Sequence, residues 1–211
     1  MFGFQPVPVD EEIIIGGSCS ILSSSSYGGK TTSHVITLPT GITIGDNILL
    51  IVGSSGAAVS GLGAYSLLRE ANVSPYLGTY IKTSDGTEGS TITLTTVSTT
   101  DVAVVCYRLG CIHYSGNSNG GYGDTLTSNT PTFKSGDVLE LLTYACIDGR
   151  TTSSLPAGYT ENSEANSSGH TGSSIVVEAA WKTITGTGSE TPGAITIDDV
   201  VDWVTIVEVF S

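Results

Sequence analysis

Positive charge is the scarcest chemistry in this chain of 211 residues: 7 Lys and Arg stand against 20 Asp and Glu, a formal net charge of −13. That scarcity excludes a nucleic-acid-binding surface and adhesion to an anionic bilayer, because both rest on clustered Lys and Arg. Charged residues of either sign make up only 13% of the chain. So little Lys, Glu, Gln and Arg excludes an all-helical fold. No apolar run approaches the length of a membrane span. The amino terminus, MFGFQPVPVDEEIII, has neither a basic n-region nor an apolar h-region, so synthesis in a cytoplasm without a secretory signal is expected. The four cysteines, Cys19, Cys106, Cys111 and Cys146, are too few for a disulfide scaffold and lack the C-x-x-C spacing of a metal site. Cys106 and Cys146 lie inside apolar runs, where a thiol acts as a small core hydrophobe, and reduced cysteines are the expectation.

What the chain has in quantity is Ser and Thr, 57 together, with 27 Gly and 39% apolar residues. That mixture suits strands and turns and is enough for one sizeable core. Acid is distributed unevenly: residues 1 to 115 hold 8 acids and 4 bases, residues 116 to 211 hold 12 acids and 3 bases.

Residues 1–30 read as an extended arm followed by a joint. Pro6 and Pro8 hold the segment extended and remove ladder donors, while Phe2 and Phe4 are apolar hooks for a neighbouring surface. Ser23 to Ser26 with Gly28 and Gly29 read as flexible. From residue 31, apolar segments recur between Gly, Ser, Asn and Asp clusters, the pattern of a sandwich or barrel. Ile175, Val177, Ala179 and Trp181 point one way toward a core, and Ser174, Glu178 and Lys182 the other way toward water. Asn47 to Val52 and Val102 to Tyr107 are apolar on both faces and read as central strands covered on each side.

A weak internal duplication relates residues 31–112 to 124–211. Gly45-Asp46 recurs as Gly136-Asp137, Tyr80-Ile81-Lys82-Thr83 as Ala180-Trp181-Lys182-Thr183, and Asp101-Val102-Ala103 as Asp202-Trp203-Val204. Two copies, each with one apolar face, predict two sheets packed face to face.

The second copy carries Ser135-Gly136-Asp137-Val138-Leu139, Leu155-Pro156-Ala157-Gly158-Tyr159-Thr160, Glu178 to Lys182, Thr187-Gly188-Ser189-Glu190-Thr191 and a closing Asp202-Trp203. In this it resembles a jelly-roll family of bacteriophage and prophage virion structural proteins, both head- and tail-associated. The first copy departs from the pattern, with Leu62-Gly63-Ala64-Tyr65 in place of the proline turn. The resemblance implies an all-β, jelly-roll-like double-sheet β-sandwich over residues 31–211. It also implies a non-enzymatic virion protein located in the particle.

Catalytic and metal motifs are sparse. His34, His113 and His170 stand alone, without ligand spacing, and read as surface or loop histidines. There is no G-x-S-x-G elbow and no phosphate-binding loop, and no cofactor is expected. Asp198, Asp199 and Asp202 are the candidates for a calcium ion, set against a simpler reading as a solvated turn. The Gly/Asn/Ser segment Ser115 to Gly123 reads as a loop, and Tyr114 and Tyr122, which flank its stretch from Ser115 to Gly121, offer glycan contact.

The expectation is a capsid decoration protein, of the cement or head-fibre kind, binding the major capsid protein through its arm as a homotrimer. Phe2, Phe4, Pro6 and Pro8 are the contacts, joined by one face of the last strand at Val204, Ile206 and Phe210. The alternative is a tail-fibre or receptor-binding module that recognises host surface glycan through Tyr114 and Tyr122.

Overall fold

The structure, a computed structural model, describes residues 19–56, 59–133, 137–148, 152–167 and 174–211. The strands are β1 (Ile21–Thr37), β2 (Asn47–Ser54), β3 (Ser66–Asn72), β4 (Tyr76–Thr83), β5 (Thr91–Leu109), β6 (His113–Leu126), β7 (Thr132–Phe133), β8 (Asp137–Ile147), β9 (Thr152–Ser154), β10 (Thr160–Asn166), β11 (Ile175–Thr185), β12 (Gly188–Ser189) and β13 (Ile195–Phe210). They form two large antiparallel sheets, ordered β1-β5-β2-β4-β3 and β6-β13-β8-β11-β10, packed as a β-sandwich. Each sheet is a consecutive half of the chain. The ribbon passes from one to the other between Leu109 and His113.

The halves match in detail. Counting the five principal strands of each half in chain order, both sheets read first, fifth, second, fourth, third. Three register irregularities fall at equivalent places. The shift between Ile21 and Ser23 opposite β5 recurs between His113 and Ser115 opposite β13, and the shift between Thr31 and Ser33 recurs between Gly123 and Thr125. The bulge between Leu67 and Arg69 recurs between Glu161 and Ser163. A turn with Tyr65 N donating to Leu62 O at 2.8 Å recurs as Tyr159 N to Pro156 O at 3.2 Å, so the proline is not needed to make it. The pairing aligns Asn47 with Leu139, one residue away from the Gly-Asp match read in the sequence.

Three cores follow from the strand patterns. Alternate residues of the central strands, Leu49 and Ile51 on β2 and Leu139 and Leu141 on β8, fill the space between the sheets. Their neighbours Ile48, Leu50 and Val52 face outward, where Ile36, Leu38 and Leu94 of the β1–β5 ribbon fold back over them. The second sheet does the same, with Leu126, Ile195 and Ile197 covering Leu142, Tyr144 and Val176. Hence β2 is buried along its whole length, as its two-faced apolarity predicted.

Two sequence readings change. The Ser23–Gly29 joint is the interior of β1, and the Ser115–Gly123 loop is the interior of β6. Both are edge strands that lie close to an edge strand of the opposite sheet, β1 over β10 and β6 over β3. Small residues are required there: a Cβ on Gly28 would overlap the Asn166 carbonyl oxygen. The cysteine expectation is half corrected. Cys106 and Cys146 are free and buried, but Cys19 and Cys111 are disulfide-bonded with Cα atoms 5.0 Å apart. They precede the first strand of each half by the same two residues, so the pairing of the halves brings them together.

Candidate functional site

Most of the core is apolar, which makes three buried carboxyls in the second half stand out. Glu140, Glu178 and Glu208 are 0%, 3% and 0% exposed. Their equivalents by strand pairing in the first half are Ile48, Gly78 and Tyr107. A buried carboxyl without full compensation is costly.

Glu208, on β13, points between the sheets. Thr79 Oγ1 on β4 donates to its Oε1 at 2.6 Å, and Arg69 Nε on β3 lies 3.8 Å from the same oxygen. His113 Nε2 meets Oε2 at 2.8 Å and packs edge-on to Phe210, with ring centroids 5.5 Å apart. One carboxylate thus ties two strands of the first sheet to two of the second. Glu208 sits between Thr79 and His113, so no histidine is placed to take a proton from the threonine hydroxyl, and the geometry is that of a brace.

The other two acids share the outer face of the second sheet. Glu178 Oε2 accepts from Thr152 Oγ1 at 2.6 Å and Thr152 N at 3.3 Å, and Thr152 Oγ1 is 2.6 Å from the Tyr144 hydroxyl. Burial pushes the Glu178 carboxyl up to about 7 against the backbone hydrogen bond from Thr152. Glu140 lies 3.6 Å from Lys182 Nζ, which is 4.5 Å above the Tyr159 ring and also paired with Glu190. Burial raises Glu140, opposed by Lys182 and the Tyr159 hydroxyl. The face expected to be wet at Glu178 is instead roofed by residues 152–159 and 195–197.

The sequence-predicted residues are scattered. Phe2, Phe4, Pro6 and Pro8 lie outside the described residues, as does His170. Val204, Ile206 and Phe210 are fully buried in the inter-sheet core. The subunit contact expected on that strand is corrected: the first sheet already covers the face that carries them. Tyr122 is 72% exposed and Tyr114 is half-buried. Eight residues apart on an extended strand, they are separated by about 27 Å and make no common sugar platform. Asp198 and Asp199 fall in the widened part of β13 beside Gly123, and Asp202 pairs with Tyr122. Among the described residues no group of three His, Cys, Asp or Glu side chains is arranged to hold a metal. His34 is buried rather than on the surface, with Nδ1 3.2 Å from the Tyr27 hydroxyl and its basicity lowered by burial.

Sequence reasoning missed Glu140 and Glu208 and placed Glu178 on the wrong side of the solvent boundary. The signal was present: each is a lone acid flanked by apolar residues, as Leu139-Glu140-Leu141, Val177-Glu178-Ala179 and Val207-Glu208-Val209. Comparisons of the chain with protein families, curated proteins and solved structures find no match.

Proposed function

We propose that this chain is a non-enzymatic structural protein of a bacteriophage particle, a capsid decoration or head-fibre protein. Residues 1–12 bind the major capsid protein, the sandwich projects from the shell, and the subunits associate as a homotrimer, closed symmetry being the rule for such assemblies. The observation that carries the reading is the Cys19–Cys111 bond. Cys19 is where the amino-terminal segment enters the described fold, and Cys111 precedes the first strand of the second sheet. Tension on the arm is therefore delivered to both sheets at once. Such a bond also suits a protein that works on a particle outside the cell, where disulfides persist.

The same end of the sandwich carries Leu22 and Ile112, which are 45% and 66% exposed, and Ser211, whose backbone pairs with that of Ile112. Apolar side chains beside the root of the arm give a capsid surface something to bury. The resemblance of residues 31–211 to virion proteins supplies the class of partner.

The experiment is deletion of residues 1–12, followed by a binding assay on capsids stripped of the protein. Binding is expected to be lost while the circular dichroism spectrum and thermal transition of the sandwich are retained. Full-affinity binding by the truncated chain overturns the arm mechanism.

A further inference from the structure

Residues 152 to 159 cross the outer face of the second sheet as a strap with a buried carboxyl at each end. At its start, Thr152 donates twice to Glu178. At its end, Tyr159 sits beside Glu140 and beneath Lys182. Between them Leu155 packs against the second outer core, beside a void too small for water and lined by Leu142, Tyr144, Ala180 and Ile195.

The first half supplies an internal control. Its strap runs from Ser60 to Tyr65 on an equivalent bridge: Ser60 pairs with Thr95 as Ser154 pairs with Thr196, with hydroxyl contacts of 2.7 and 2.6 Å. Under that strap the positions of Glu140 and Glu178 are Ile48 and Gly78. The same piece of architecture is thus built once over an isoleucine and a glycine and once over two acids.

We propose that Thr152–Tyr159 is a proton-operated strap, closed while Glu178 is uncharged and released when it ionises. Around Glu178 stand Tyr144 on β8, Thr152 on β9, Glu164 directly opposite on β10 and Ile195 on β13, and among these described neighbours there is no cation. Glu140 faces Lys182 on β11, Tyr159 at the strap's end, Glu190 beyond Lys182 and Val209 on β13, so its charge is partly compensated. A charged Glu178 has to recruit water, and the strap is the cover that separates it from solvent. Its folded-state pKa lies above the ordinary carboxylate value. The strap's hold is therefore complete at acid pH and is lost as pH rises through about 7.

The test is hydrogen exchange of the full chain between pH 5.5 and 8.5, corrected for the intrinsic pH dependence of exchange. Protection of residues 152–159 is expected to fall at least tenfold and to level off above about pH 7, while residues 59–65 hold theirs. Glu178→Gln, which is uncharged at every pH, is expected to keep the strap protected at pH 8.5. Unchanged protection in the wild-type protein overturns the proposal, as does an equal fall in both straps. So does an undiminished fall in a folded Glu178→Gln variant. Should that variant not fold, the comparison of the two straps in the wild-type chain decides alone.

Discussion

Glu208 stands in the second sheet where Tyr107 stands in the first, each paired across to a leucine of its own sheet, Leu141 and Leu49. In the second half that position holds a carboxylate bound by Thr79, His113 and Arg69. Truncation leaves a histidine, an arginine and a threonine facing an apolar gap. Glu208→Ala is expected to cost about 3 kcal/mol, in the range for breaking a buried ion pair, read from the denaturant midpoint. A loss under about 1 kcal/mol would mean that the brace is not formed in solution.

Reduction of the Cys19–Cys111 bond opens a loop that spans 92 residues of sequence separation. The Cys19→Ser, Cys111→Ser variant is expected to be less stable by about 3 kcal/mol, with its strand content, by far-ultraviolet circular dichroism, unchanged. Free-thiol titration of the denatured native protein should find only Cys106 and Cys146 reactive.

Two glycines separate steric from conformational demand. A Cβ on Gly28 would overlap the Asn166 carbonyl oxygen where β1 approaches β10, whereas a Cβ on Gly158 meets nothing within 4 Å, although the residue sits at φ +85°. Gly28→Ala is expected to cost about 3 kcal/mol or more, by forcing the two sheet edges apart. Gly158→Ala should cost only about 1 kcal/mol, from the left-handed backbone. Thermal unfolding of both variants ranks them.

Global stability carries the signature of Glu178. A carboxyl raised from 4.5 to about 7 on folding stabilises fully below its unfolded value, and that contribution is lost as pH rises through the folded one. The loss is on the order of 3 kcal/mol. Chemical denaturation at pH 5.5 and 8.5 should show about 2 kcal/mol of that loss in the wild-type protein, the part that accrues above pH 5.5, and a much smaller difference in Glu178→Gln.

The fold was legible because its strands are patterned strongly. Asn47 to Val52 and Val102 to Tyr107 announce strands covered on both sides by being apolar on both faces, and they are buried. Trp181 alternates with Lys182 and packs on the inter-sheet core as that alternation predicts. The edge strands were illegible for the opposite reason. Apart from Tyr27 and Tyr122, Ser23 to Gly29 and Ser115 to Gly123 hold small or short polar residues where two sheets converge, and these are also what loops are made of. Glu178 was misjudged because alternation separates the two faces of a strand without saying whether a second layer covers the outer one. The cysteine pair depends on the superposition of two halves, which spacing along one chain does not reveal until the repeat is placed in space.

The most direct measurement of the central claim is the copy number of this chain per major capsid subunit, by quantitative mass spectrometry of gradient-purified particles. A decoration protein predicts about one copy per capsid subunit, or one trimer at each local three-fold of the shell. Absence of the chain from purified particles would contradict the account.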